Sequence, residues 1–185
     1  MRHKEFNRNK VLEDSISLFW SNGITACSIK DLVAETHVNR FSLYKEFDNK
    51  EGILLNALDL YYDRYSSKQI DLLRQNKPTK EVLKEFYTSF LTTDSKHPPG
   101  CFMIHTSSEL ADHNKDVKMR LDTYIKEIEQ EIGKLLERDP ETEENSHSNA
   151  IRLTGLFCSS MCFCLIQNPE ERLNYLDTSI DLILH

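Results

Sequence analysis

Residues 36–51, THVNRFSLYKEFDNKE, combine aromatic rings with positive charge in a run that contains no Gly or Pro. If the run is a helix, Leu43 and Phe47 share one face, about 40° apart. The opposite face then carries a mixed set of side chains, namely Arg40, Phe41, Ser42, Tyr44 and Lys45. A guanidinium can bind a guanine edge, a ring can contact a thymine methyl, and hydroxyl and ammonium groups can reach phosphates. The mixture predicts a surface for the major groove of DNA, and an ordinary helical hairpin with a solvated face is the alternative.

Three neighbouring residues extend this surface. Ser28 and Asn39 lie at predicted helix N-termini, where free N–H groups and the helix dipole favour phosphate oxygens. Lys50 begins the next predicted helix, close to the same backbone. Helices of about eight residues joined by a short turn have the dimensions of a helix-turn-helix.

The elements that must position these residues are all helical by their apolar spacing, and no strand-like alternation persists. Helices are predicted over residues 6–21, a short segment after Ser28, Asn39–Phe47, 51–75, 79–93, 101–111, 116–137, 146–167 and 169–184. The chain is therefore predicted to be all-α, with about nine helices. We call residues 1–50, the predicted three-helix DNA-binding domain, the head, and residues 51–185 the body.

Charge is divided unevenly between the head and the body. The head has eight Lys and Arg against seven Asp and Glu, whereas the body has fifteen against twenty-three, and the net charge is −7. An acidic chain argues against nucleic acid, but a near-neutral head can still present a local basic surface. The absence of a long apolar run and of a secretory signal predicts a cytoplasmic protein without a membrane span.

Cysteine and histidine could carry other chemistry, but their spacing does not favour it. Five cysteines without an export signal do not indicate a disulfide framework. Cys158 and Cys162 lie one helical turn apart in an apolar run, which favours burial, and a redox switch is the alternative. The seven histidines show no paired-ligand spacing, so no metal site or cofactor is predicted. No arrangement for nucleophilic catalysis is present, so the chain is not predicted to be an enzyme.

A series of residues resembles the N-terminal signature of TetR/AcrR-family transcriptional regulators. The series is Gly23, Cys27–Ile29, Leu32, Val38, Ser42–Tyr44, Phe47, Asn49–Glu51 and Leu54. The resemblance covers roughly residues 8–55 without a gap. It implies that Asn39–Lys45 is the recognition helix and that Ser28, Tyr44 and Lys50 contact phosphate.

The body carries two further predictions. Small and apolar residues in the last two helices leave a face for a second copy, and the resemblance implies a four-helix dimer bundle, although a monomeric core is the alternative. The predicted interface residues are Leu156, Ser159, Met161, Leu173, Leu176 and Ile180. The resemblance also implies a small-molecule site among large side chains, although for any one of these side chains core packing is the more favoured interpretation. The candidate ligand residues are Tyr62, Phe86, Phe90, Met103 and His105.

Together these features predict a homodimeric, ligand-responsive regulator, in the simplest case a repressor. Two recognition helices would bind a palindromic operator in double-stranded DNA about 34–36 Å apart. A small-molecule effector of unknown identity would release the DNA. A redox-sensing regulator that uses Cys158 and Cys162, and a helical protein-interaction module that binds no DNA, are the competing hypotheses.

Overall fold

The computed structural model describes residues 6–91 and 98–185, and within them all regular secondary structure is helical. The helices are α1 (Arg8–Asn22), α2 (Ile29–Thr36), α3 (Arg40–Phe47), α4 (Lys50–Tyr61), α5 (Ser67–Asp71), α6 (Thr79–Ser89), α7 (Phe102–Leu110), α8 (Lys115–Glu137), α9 (Ser146–Phe163) and α10 (Pro169–Leu184). The predicted all-α class is confirmed. In this part of the chain no helix is long and apolar enough to cross a membrane.

The helix predicted over 51–75 is a continuous run with two irregular turns. α4 passes through a π-helical turn (Tyr62–Ser66) into α5, and a 3-10 turn (Leu72–Arg74) closes the run. When this run is counted as one helix, the described residues contain nine helices, and the sequence predicts about nine. The helix predicted over 79–93 ends at Ser89, and residues 92 and 93 lie outside the described residues.

The head packs its three helices and the start of α4 around one apolar core. α1 carries a buried apolar stripe, whose members are Val11, Leu12, Ile16, Phe19 and Trp20. The Trp20 ring lies at the edge of this core, with its centroid 5.6 Å from that of Tyr61 and 5.8 Å from that of Phe102. The core of the head is therefore continuous with the core of the body.

The turn between α2 and α3 sets the direction of α3 relative to α2. His37 ends α2 with φ 55°, a left-handed conformation that glycine adopts more easily than other residues. The Thr36 hydroxyl donates to the Leu32 carbonyl at 2.7 Å and accepts from the Val38 N–H at 3.3 Å. These hydrogen bonds hold the turn despite its strained residue.

The body is built on α8 and α9, with α6 and α10 packed against them. A cluster of rings fills the centre, where the Phe157 centroid lies 5.5 Å from that of Phe86 and 4.9 Å from that of Phe90. α10 begins with a capping box in which Asn168 and Glu171 exchange hydrogen bonds. Ion pairs with Lys80 and Lys84 of α6 fix the later part of α10.

The structure corrects the predicted dimer interface. Leu156, Met161, Leu176 and Ile180 have exposed fractions of only 6, 4, 2 and 0 % within their own protomer. The apolar stripes of α9 and α10 face the core of the body, because each amphipathic helix buries its apolar side against its own neighbours first. Ser159 is half-buried and Leu173 is 49 % exposed, so of the six only these two reach the surface.

Candidate nucleic-acid interface and body groove

α3 is held from inside and carries its functional side chains outside. The Asn39 side chain caps the helix by accepting a hydrogen bond from the Ser42 N–H at 2.9 Å. Leu43 and Phe47 anchor the inner face, with exposed fractions of 0 and 2 %. Phe41 points away from them and is 70 % exposed. The geometry thus reproduces the two faces that the sequence predicts.

The outer face of α3 offers positive charge together with rings. The Arg40 guanidinium lies over the Tyr44 ring, 5.0 Å from its centroid, a cation–π geometry. Lys45 is exposed in the last turn of the helix. This arrangement can bind base edges and phosphates, but contact with DNA remains a prediction for each of these residues.

Ser28 has another role in this structure besides the predicted phosphate contact. Its hydroxyl and its N–H both donate to the Asp31 carboxylate, at 2.7 and 2.8 Å, in a capping box. The Ser28 side-chain hydrogen bond and then its backbone hydrogen bond lower the pKa of the Asp31 carboxyl. A phosphate can reach the Ser28 donors only if this capping box opens.

Lys50 is also engaged within the protein. Its ammonium donates to the carbonyl oxygens of Ile24 at 2.7 Å and Cys27 at 2.6 Å, in the loop between α1 and α2. An ammonium has three donors, so one remains for a phosphate. The structure therefore gives Lys50 a positioning role in addition to the predicted one.

A carboxylate of the body holds the same loop from the other side. Glu109 of α7 accepts hydrogen bonds from the N–H groups of Ile24 at 3.0 Å and Thr25 at 2.9 Å, and we call this contact the Glu109 clasp. Burial raises the pKa of the Glu109 carboxyl, but the backbone hydrogen bonds and nearby His105 outweigh burial, so this pKa lies below its usual value. Sequence reasoning missed the clasp, because its partners lie 84 and 85 residues apart and leave no local pattern.

A groove of about 540 Å³ opens in the body between α4, α7 and α8. Leu58, Met103 and Tyr124 form its apolar side, and the Tyr62 and Tyr124 rings meet edge-to-face at 6.4 Å. Two of the five candidate ligand residues, Tyr62 and Met103, thus line one groove. A role for them in ligand binding remains a prediction.

The other three candidate ligand residues do not line this groove. Phe86 and Phe90 are 0 and 2 % exposed and pack on Phe157, so they are core residues. The sequence prediction fails for them because the apolar stripe of α6 faces α9. His105 lies at the junction with the head, with its Nε2 atom 3.1 Å from Glu109 Oε1.

The thiols of the body are poorly suited to redox chemistry at neutral pH. Burial raises the pKa of Cys158 and of Cys164 to about 11, and it also raises the pKa of Cys101. The thiolate is the reactive form, so these protonated thiols react slowly. Cys162 is exposed. The structure therefore disfavours a switch that depends on Cys158.

Comparison with known proteins identifies the head. Residues 11–57 match the model of the bacterial regulatory proteins of the tetR family. The head is therefore similar to the regulatory proteins of the tetR family. The HTH-type transcriptional repressor ComR of Escherichia coli (strain K12) is 34% identical over 119 residues, which are 63% of this chain and 57% of ComR. The HTH-type transcriptional repressor NemR of the same strain is 23% identical over 125 residues, 65% of this chain and 63% of NemR. The matched part thus spans less than two thirds of either TetR-type repressor.

Solved TetR structures share the fold of the head and the body together. A cysteine mutant of the TetR family regulator CifR, in complex with 26-bp double-strand operator DNA, matches with a TM-score of 0.84 at 19% identity. That match covers 97% of this chain and 98% of the CifR chain. SCO4454, a TetR-family regulator from Streptomyces coelicolor, matches with a TM-score of 0.82 at 19% identity, over 96% of this chain and 93% of that chain.

Proposed function

We propose that the chain is a homodimeric transcriptional repressor that binds a palindromic operator and releases it when a small molecule binds the body. The head (residues 1–50) is the DNA-binding domain, and the body (residues 51–185) binds the effector and forms the dimer. The observation that carries the proposal is the outer face of α3, where Arg40 is held over Tyr44 beside an exposed ring. Two TetR-type relatives are named transcriptional repressors, and a structural neighbour holds operator DNA, which supports the proposal.

The proposal gives different roles to the residues of the interface. Arg40 reads a base edge, because a guanidinium can donate two hydrogen bonds to guanine. Tyr44 and Lys45 bind phosphate, as does Lys50 through its third donor, and these contacts carry no sequence information. The partners of Ser28 limit its contribution, as described above.

The test of DNA binding compares Arg40→Ala with Lys68→Ala, which removes an exposed positive charge from α5 of the body. Selection from random duplexes with the full chain defines the operator, and fluorescence anisotropy then measures affinity. Arg40→Ala should lower operator affinity about tenfold and relax preference at one position of each half-site. Lys68→Ala should change neither, and binding should weaken steeply with salt. If Arg40→Ala keeps both operator affinity and base preference, Arg40 does not contact a base edge as proposed.

A second copy of the chain is proposed to pack on the outer face of α9, which continues onto α10. This surface exposes large apolar side chains, with Ile151 49 %, Ile166 80 % and Leu182 77 % exposed. Apart from its chain neighbours and the adjacent backbone of α9, no atom of the described residues lies within 4 Å of the position that a Cβ on Gly155 would take. The open position at the middle of an apolar face permits close approach of a second helix, which supports a homodimer.

The dimer surface can be tested without disturbing the protomer. Gly155→Arg places a charged side chain in open space and removes a helix-interior glycine, so the protomer should fold. It should sediment as a monomer and lose operator affinity, because the two heads are no longer coupled. Gly155→Ala is the matched control and should sediment as a dimer. A dimeric Gly155→Arg protein would place the interface elsewhere.

A further inference from the structure

The lining of the body groove carries more negative than positive side chains. Its lining includes the carboxylates of Asp59, Asp63 and Glu127, against a single guanidinium, that of Arg120. Asp63 forms no ion pair with any other residue of 6–91 or 98–185, so its charge is not compensated by a direct partner. The groove therefore favours a ligand that carries positive charge.

The positive charge of Arg120 is committed to one of these carboxylates. Its Nε and Nη2 atoms donate to the two oxygens of Asp59 at 2.7 and 3.1 Å. The hydrogen bond with Asp59 raises the pKa of Arg120 further above its already high value, so the guanidinium stays charged. Because Arg120 and Asp59 neutralise each other, Asp63 and Glu127 set the charge of the groove.

Glu127 is held in a defined position at the wall. The Tyr62 hydroxyl donates to Glu127 Oε2 at 2.6 Å, and burial and then Glu127 raise the pKa of Tyr62 to about 12. Arg74 Nη2 lies 3.8 Å from Glu127, but Arg74 makes closer contacts with Glu131 and Asp71. Glu127 is thus a hydrogen-bond acceptor, and its positive neighbour, Arg74, is shared among three carboxylates.

The remainder of the groove suits an apolar group. Leu58, Met103 and Tyr124 line it and are at most 3 % exposed, while Met119, 59 % exposed, lies at its edge. Aromatic rings and thioether sulfur make favourable contacts with organic cations and with rings. The volume of about 540 Å³ lies in the range of small-molecule sites.

We propose that this groove binds an amphipathic organic cation, whose charge lies against Asp63 and Glu127 and whose apolar part lies against Met103 and Tyr124. This inference rests on the proposed function, because it names the chemical class of the effector. The cation would also compete with Arg120 for Asp59. That competition loosens the ion pair between α4 and α8. The ligand then binds more tightly to a conformation in which α4 has moved relative to α8 than to the conformation described here, which is what a shift between two states requires.

The experiment uses two ions of nearly the same shape and opposite charge, tetraphenylphosphonium and tetraphenylborate. Isothermal titration of the full chain without DNA should show binding of the cation, with the anion at least about tenfold weaker. The double variant Asp63→Asn with Glu127→Gln should lower the affinity for the cation about tenfold. Arg120→Met should raise it, because Asp59 becomes available. Asp122→Asn, which alters an α8 carboxylate paired with Lys126 outside the groove lining, is the control and should change nothing.

Each result decides the proposal. It is overturned if neither ion binds, if the anion binds as tightly as the cation, or if the double variant, folded by circular dichroism, binds the cation unchanged. Asp63→Asn alone alters an exposed side chain and serves as the second variant if the double variant does not fold. Operator binding is then measured with and without the cation. If the cation binds with the expected charge dependence and DNA affinity stays constant, the site stands and the proposed release mechanism fails.

Discussion

The outer face of α3 and the body groove are built from similar side chains with opposite charge. α3 places a cation against a ring, as Arg40 lies over Tyr44, whereas the groove places a carboxylate against a ring hydroxyl, as Glu127 accepts from Tyr62. The first surface comes from one helix of eight residues, and the second is assembled from three helices. The comparison shows how a ring beside a charged group can serve two proposed partners. A cationic group suits a polyanion such as DNA, and a carboxylate suits an organic cation.

α4 connects the two surfaces, so the strongest test of the comparison is to disturb its start. A Cβ on Gly52 would lie 1.8 Å from the Phe47 carbonyl oxygen at the end of α3. Gly52→Ala must therefore separate the two helices and should lower the free energy of unfolding by about 3 kcal/mol, measured by urea denaturation.

Gly133→Ala is the matched control for Gly52→Ala. Its Cβ would lie 3.8 Å from the Ala150 Cβ, an ordinary contact, and removal of a glycine inside α8 should raise the free energy of unfolding by about 0.5–1 kcal/mol. If Gly52→Ala unfolds at the same urea concentration as the unaltered chain, α3 and α4 are not rigidly joined. The two surfaces would then be independent of each other.

A smaller effect is expected at the second connection, the Glu109 clasp. Glu109→Gln removes the charge that accepts two N–H groups of the head and should lower the free energy of unfolding at pH 7 by about 1 kcal/mol. The pKa of Glu109 is lowered in the folded chain, so its contribution is complete above its usual pKa of 4.5 and is lost as pH falls through the folded-state pKa. Urea denaturation at pH 7 and pH 3 should show the difference between the two proteins shrinking in acid. Glu144→Gln, at an exposed position, should show no difference, and a gap that persists in acid would exclude the charge as its cause.

The smallest effect is expected at the thiols. This prediction tests whether thiol oxidation, and not ligand binding in the groove, changes operator affinity. Titration of the folded chain with a disulfide reagent should modify the exposed Cys162 first and leave the half-buried Cys158 and the buried Cys101 largely unreacted, because the pKa values of both of these thiols are raised. Mild oxidant should change operator affinity by less than about twofold. A loss of affinity that reductant restores would favour the redox hypothesis over the groove.

Local patterns predicted α3 well, because its cap and its inner face lie within nine residues. Asn39 caps the helix, and Leu43 and Phe47 anchor it, as their spacing predicts. Of the residues that line the groove, the sequence pointed only to Tyr62 and Met103 as candidate ligand residues. The carboxylates of the groove are brought together by packing of distant helices, as when Arg120 meets Asp59 across 61 residues, and sequence spacing carries no record of such pairs.

The body shows a different limit of sequence reasoning. Phe86, Leu176 and Ile180 were correctly recognised as apolar positions on helices, but periodicity cannot tell which neighbour covers an apolar stripe. In the structure all three are fully or almost fully buried within the protomer. The surface proposed for a second copy instead combines exposed apolar side chains with the open position at Gly155, and a glycine has little weight in an apolar pattern.

The stacked pair Arg40–Tyr44 affects how well the protein can distinguish one DNA sequence from another. A free arginine loses much rotamer freedom when it is immobilised on a base, at a cost of about 0.5–1.5 kcal/mol. The guanidinium already rests on a ring before any duplex arrives, so part of that ordering is complete in the unbound chain. A tyrosine that touches no base would thereby set the selectivity of its neighbour, and Tyr44→Phe, which retains the ring, should preserve base preference better than Tyr44→Ala.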